Sequence, residues 1–505
     1  MNSGDTAWVL ASAALVMLMT PGLAFFYGGM VGGKSVLNML MMNFICLGAV
    51  TTLWLLYGYS ESFGNDAYQG LVGQMSHAFL RNTQGTLSGP AGHQIPTMAF
   101  VMFQLMFAVI TTALISGAIA GRAKFWAWMV FIVAWTTVVY FPVAHWVFSA
   151  SGFTNTDSAG NSSDVGGWID NRLKAFDFAG GTAVHINAGA AALAMVLVIG
   201  NRHGWPRSIP RPHNVPFTLL GASLLWFGWY GFNAGSALAA GDLAATAFTN
   251  TTIATGVASL AWIIVEQLRD GRPTTLGAAS GAVAGLVAVT PACGFVGSIG
   301  ALAIGIAAGV CCALAVGLKF IFGYDDSLDV VGVHLVGGLV GTLLIGFFAD
   351  ASVNSGGGNG LLFGGGWTQL QRQAIAAFAV LGYSFVATYI LGWIINKLIG
   401  FRVDHESEAS GIDEAEHAES AYDLGFPAPS PALTPTAPRT PPPPRVPPAP
   451  RNPPPRNPAQ RVAPPPGMNT PRLPVRPMMG DGREPEWPGR LRGDYEPHHE
   501  GRAEA

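Results

Sequence analysis

The chain has 505 residues and a formal net charge of −3, with half of its residues apolar and only 11% charged, against about 25% charged in ordinary soluble domains. That excludes water as its main solvent, and the near-neutral balance gives no argument for nucleic acid or any other bulk electrostatic partner. Cys46, Cys293, Cys311 and Cys312 lack C-x-x-C spacing, which argues against a disulfide framework or a structural zinc site.

A secretory signal needs a positive n-region, yet the first cation is Lys34, beyond the first apolar stretch. The first helix is therefore expected to be retained rather than cleaved. Apolar windows long enough to cross the hydrocarbon fall at about 6–29, 39–60, 97–120, 125–148, 180–200, 216–237, 245–267, 275–292, 297–320, 329–349 and 372–398. This predicts an all-α membrane protein of eleven transmembrane helices. The cations Lys34, Arg122, Lys124, Arg202, Arg207, Arg211, Arg269, Arg272, Lys319, Lys397 and Arg402 gather on one set of alternate loops. The N-terminus is then expected outside and the C-terminus inside. Gly277, Gly281 and Gly285 recur at spacing four, which suits close helix packing in lipid.

Spans five and ten each contain V-H-x-x-small-Gly: Val184-His185-Ile186-Asn187-Ala188-Gly189 and Val333-His334-Leu335-Val336-Gly337-Gly338. Five being odd, two related sets of five spans enter from opposite sides, which gives an inverted repeat of five plus five with one extra C-terminal helix. Substrate then sits near the midplane, between the halves.

The expected organisation is a transmembrane core over 1–400, a cytoplasmic regulatory segment over 401–422 and a Pro/Arg-rich disordered cytoplasmic tail over 423–505. The tail's arginines, from Arg439 to Arg476, suit either an anionic leaflet or a solvated linker.

His185 and His334 are ionisable groups inside apolar spans, where polar side chains usually face a pathway or each other. Neither reaches its upstream aspartate along a helix of 1.5 Å rise, since Asp177 lies about 12 Å from His185 and Asp329 about 7.5 Å from His334. Each histidine is therefore the other's plausible partner, although packing against backbone carbonyls is the alternative for either alone. Two neutral imidazoles can share one hydrogen bond and leave outer nitrogens for a small polar guest such as ammonia. No third ligand lies at metal spacing on either span, and neither metal nor cofactor is expected. Phe103, Phe107, Phe148 and Phe232, with Ser236, lie where an entering cation would first meet aromatic faces, although Phe stripes also arise in core or against lipid. Asp177 and Asp329 each precede a span and are expected to cap it.

The stretches Asp177-Phe178-Ala179-Gly180-Gly181-Thr182-Ala183-Val184-His185, Trp229-Tyr230-Gly231-Phe232-Asn233-Ala234-Gly235-Ser236, Thr290-Pro291-Ala292-Cys293-Gly294 and Asp325-Asp326-Ser327-Leu328-Asp329-Val330-Val331-Gly332-Val333-His334 together resemble the ammonium transporter (Amt) family, over about residues 5 to 422. The resemblance implies a homotrimer in the cell membrane, with one pore per subunit carrying ammonium or ammonia and accepting methylammonium as an analogue. It implies an outer ammonium site at Phe107, Phe148 and Ser236, a gate of Phe107 and Phe232, and pore histidines His185 and His334. It further implies a buried supporting aspartate, Asp177, and a segment 401–422 that contacts the neighbouring subunit and answers to a cytoplasmic PII signal protein. One departure stands out: bacterial members commonly have tryptophan where this chain has Phe148, and Trp is the better cation–π partner. Trp146 cannot take over, because two helical residues turn a side chain by about 200°. Two other functions are compatible with these motifs, an ammonium sensor and a Rhesus-type gas channel. No nucleophile or cofactor motif accompanies the histidines, so an enzyme is not expected.

Overall fold

The computed structural model describes residues 1–422. The expected tail over 423–505 lies outside the described residues. Among the described residues, ten helices are long and apolar enough to cross a membrane: α1 Ser3–Met30, α2 Val36–Phe63, α3 Thr97–Ile119, α4 Phe125–Phe148, α5 Gly181–Ile199, α6 Val215–Gly235, α7 Asp242–Asp270, α9 Ser298–Phe322, α10 Val331–Phe348 and α11 Thr368–Ile399. Between α7 and α9 lies a shorter apolar helix, α8, Thr275–Val289. The window read over 275–292 shortens because Thr290 to Phe295 close into turns held by the carbonyls of Val289 and Ala292. A two-residue antiparallel ribbon, Leu87–Ser88 with Ile95–Pro96, sits between α2 and α3. This is an all-helical multi-pass membrane protein.

Glycines set how near the helices come. A Cβ on Gly221 would lie 2.2 Å from the Phe26 amide nitrogen, one on Gly228 would lie 2.6 Å from the Leu15 carbonyl, and one on Gly235 would strike Ser12 at 2.5 Å. Spaced by seven, these residues form one seam of α6 on which α1 lies. The expected stripe of Gly277, Gly281 and Gly285 performs the same task on α8, facing Glu266, Trp262 and Ala254 of α7. Gly305 and Gly309 of α9 meet the carbonyls of Ala254 and Ala258 on that same helix. Without an apolar driving force between helices in lipid, such backbone approach is where the packing energy comes from.

At the end of the bundle that carries Lys34 and Arg122, loops from different parts of the chain are tied together. Arg122, fully buried, donates through Nε to the Gly200 carbonyl at 2.9 Å and through its other nitrogens to the Asp325 carbonyl and the Ser327 hydroxyl. Burial pulls its pKa down to about 10 against the pull of Asp325. Arg202 grips the Asp325 carboxylate with two nitrogens, at 2.8 and 2.7 Å.

The last described segment holds two short helices, α12 His405–Ser410 and α13 Ile412–His417. The Asp413 carboxylate accepts from the amides of Leu37 and Asn38 at 3.0 and 2.8 Å, and Glu416 accepts from the Phe125 amide at 2.9 Å. These acids satisfy free N–H groups at the starts of α2 and α4 and complement their dipoles.

Candidate functional site

Two cavities border a pair of stacked phenyl rings, one lined by Phe107 and the other by Phe232. The first is an open vestibule of about 260 Å³ lined by Phe103, Gln104, Phe107, Phe148, Asp170, Asp177 and Ser236, among others. Phe107 packs edge-on to Phe103 at 4.9 Å and to Phe148 at 6.0 Å. It stacks on Phe232 with centroids 4.2 Å apart and planes 24° from parallel. Phe232 in turn lines the second cavity, which holds only about 10 Å³, barely enough for a single water-sized guest. Its other walls include Met19, Leu114, Val184, Trp229 and the two histidines.

His185 and His334 come together as expected, with their Nδ1 atoms 3.3 Å apart and their rings near parallel at 5.4 Å. Both are buried, and His185 Nε2 has no partner among the described residues. Each histidine rides on a π-helical turn that opens its helix, Gly181–Ile186 and Val331–Leu335, a wide turn that recurs at functional sites. The motif glycines explain the contact. A Cβ on Gly189 would lie 2.5 Å from the Leu335 amide nitrogen, and one on Gly338 would meet Ile186 and the His185 Cβ at 3.0 and 3.1 Å. The glycine four residues after each histidine lets the other histidine's segment approach.

Asp177 caps α5 as expected. It accepts from the amides of Gly180, Gly181 and Thr182 at 2.7, 2.7 and 2.8 Å, from that of Ala183 at 3.3 Å, and from the Thr182 hydroxyl. It is half-buried rather than buried, because it also borders the vestibule. Gly180 makes the tight entry possible at φ +120°.

Asp329 does not cap α10. It sits at φ +63° and pairs with Lys319 Nζ at 2.6 Å. Asp326 takes the cap instead, accepting from Val330 and Val331 at 3.1 and 2.7 Å. Burial, then the neighbouring Asp329 charge, pushes the Asp326 carboxyl above the usual carboxylate range. The signal was available in the spacing, since Asp326 precedes His334 by eight residues as Asp177 precedes His185.

Ser236 donates its hydroxyl to the Phe232 carbonyl at 2.8 Å, which leaves the oxygen free to accept from a guest's N–H. Trp146 faces away from the vestibule, donating to the Leu71 carbonyl at 2.8 Å and packing on Trp168 and Tyr383. Trp229, in the motif that carries Phe232 and Ser236, has no role that its sequence position alone assigns. It stacks on His185 at 5.4 Å and anchors its indole N–H on Thr290 at 2.8 Å. Its place one turn before Phe232 marks it as sharing that face. Asp170 and Gln104, both on the vestibule wall, carry no motif that would single them out.

The family model described as Ammonium Transporter Family matches residues 7–422. The chain belongs to the ammonium transporter family. An ammonium transporter of Mycobacterium tuberculosis is 58% identical over 441 residues, 84% of this chain and 91% of that protein. Amt1 of Archaeoglobus fulgidus is 43% identical over 422 residues, covering 84% of this chain and all of its own length. The crystal structure of Mep2 from Candida albicans aligns with a TM-score of 0.72 at 32% identity, over 81% of this chain and 88% of that one. The first two of these relatives are named as ammonium transporters, and ammonium is the substrate the family implies.

Proposed function

We propose that the chain takes up ammonium across the cell membrane by capturing the cation in the vestibule and passing ammonia through the inner cavity. In this reading the faces of Phe107 and Phe148 and the Ser236 oxygen hold ammonium, Phe107 and Phe232 form the gate, and His185 and His334 line the conduit. Asp177 supports the vestibule without contacting the guest. A bare charge in so small and apolar a cavity costs several kcal/mol or more, so the proton leaves before the gate, and electrogenic passage requires it to travel separately along the imidazoles. Phe148 in place of a larger indole implies weaker capture.

The single observation carrying this is the order of the parts: a polar-edged vestibule, a stacked phenyl pair, then a water-sized space closed by two imidazoles in contact. The same reading has α8 as an eleventh crossing, the N-terminus outside, the halves inverted, three subunits per assembly, and the segment 401–422 in the cytoplasm as the place where a PII protein acts. The test is current in a reconstituted bilayer with ammonium, methylammonium and potassium presented in turn, for the native chain and His185→Asp. Ammonium current that excludes potassium in the native chain and admits it in the variant supports the mechanism. An unchanged current and selectivity in the variant defeats it.

A further inference from the structure

The vestibule holds two carboxylates of opposite condition. Asp177 is saturated by the donors that open α5. Asp170, on the turn Ile169–Leu173, accepts no hydrogen bond and forms no ion pair among the described residues, although it lines the same space and is half-buried. Its neighbours are committed elsewhere. Asn171 donates to the carbonyls of Ser149 and Gly167 at 2.9 and 2.7 Å and accepts from the Ser151 amide at 2.8 Å. Arg172 reaches toward Asp66 at 4.0 Å, and Lys174, the opposing cation of the turn, is exposed.

The Asn171 bonds pin this turn to the chain leaving α4 just after Phe148, so Asp170 is held on the vestibule wall rather than carried on a free loop. A carboxylate that has lost part of its water and gained no donor is unfavourable unless a cation visits it. We propose that Asp170 is a substrate-attracting residue of the vestibule, whose charge raises the occupancy of ammonium beside Phe148 and Ser236. This rests on the vestibule being the ammonium entry, and adds a residue that neither the aromatic cluster nor the hydroxyl supplies. It acts by field and hydrogen-bond acceptance, with no covalent step.

The experiment is methylammonium uptake into proteoliposomes by the full chain and Asp170→Asn, at low and high choline chloride. At low salt the variant's half-saturation concentration is expected to rise about fivefold with the maximal rate kept, the scale of one charge acting through a partly solvated pocket. At high salt the difference shrinks by screening. Asp170→Glu keeps the native value. Native half-saturation in Asp170→Asn at both salts overturns the inference, as does an equal rise at both, which would mark a structural role. Should Asp170→Asn be without effect, Ser236→Ala tells the two failures apart. A shift in Ser236→Ala leaves the vestibule reading standing and removes only Asp170, whereas no shift removes both.

Discussion

Replacing Gly189 with alanine tests whether contact between the two histidine segments carries conduction. The new Cβ would lie 2.5 Å from the Leu335 amide nitrogen and 2.6 Å from its Cβ, where ordinary contact begins at 3.4 Å. Backbone cannot swing aside as a flexible side chain does, so the two segments must part by about 0.9 Å, the shortfall in that contact. Added to the 3.3 Å between the imidazole nitrogens, this takes them to about 4 Å, beyond hydrogen-bond range. Overpacking of this kind costs about 1–3 kcal/mol of stability, a loss a bundle of this size is expected to survive. Methylammonium uptake by Gly189→Ala in proteoliposomes should fall by about tenfold or more, equivalent to about 1.4 kcal/mol in the barrier. Gly338→Ala is the internal control. Its Cβ meets Ile186, Gly181 and His185 at 3.0 to 3.1 Å, so a few tenths of an ångström suffice and the loss should be about two- to threefold. A Gly189→Ala protein that elutes as the native assembly and transports at the native rate would refute the reasoning.

Asp326→Ala should destabilise the protein by about 1 kcal/mol of lost capping energy, read as a lower thermal midpoint in detergent than that of Asp329→Ala, because only Asp326 receives the amides that open α10. Asp413→Ala should expose Glu414 and Glu416 to a glutamyl endopeptidase several times faster than in the native chain, since it frees the α2 amides that hold the segment. Burial pushes Asp170 up to about 6, against the opposing pull of Lys174. It is neutral and weakly attractive below that value and charged above it, so the native half-saturation concentration should fall as pH rises from about 5 to 7. Ammonium itself stays protonated throughout. Asp177 shares the vestibule and Arg172 is turned to Asp66, so the Asp170→Asn variant, which keeps both, should show a flat profile in the same uptake assay.

Most of the helices could be read from the sequence because twenty-residue apolar windows have almost no other solution in lipid. The span expected over 125–148 has the bounds of α4, and the others agree to within a few residues. The pairing of His185 with His334 was legible for a related reason, since repeated polar residues in two apolar spans need one another. What stayed hidden depends on backbone shape. The sequence carries no signature for the π-helical turns under the histidines, and Asp329 attracted attention by standing nearest the span, whereas its left-handed conformation turns it toward Lys319. Asp170 was invisible because an unpartnered carboxylate becomes notable only once the positions of its neighbours are known.

The rings of Phe107 and Phe232, stacked 24° from parallel at 4.2 Å, stand between the vestibule and the inner cavity, with no space for water between their faces. In the proposed reading, where this pair is the gate, breaking a continuous water file would keep protons from hopping through the membrane and discharging its potential, so the contact that sorts the cargo would also insulate the cell. On that reading any proton that crosses would have to leave the solvent on one side and be handed on by a side chain, one at a time.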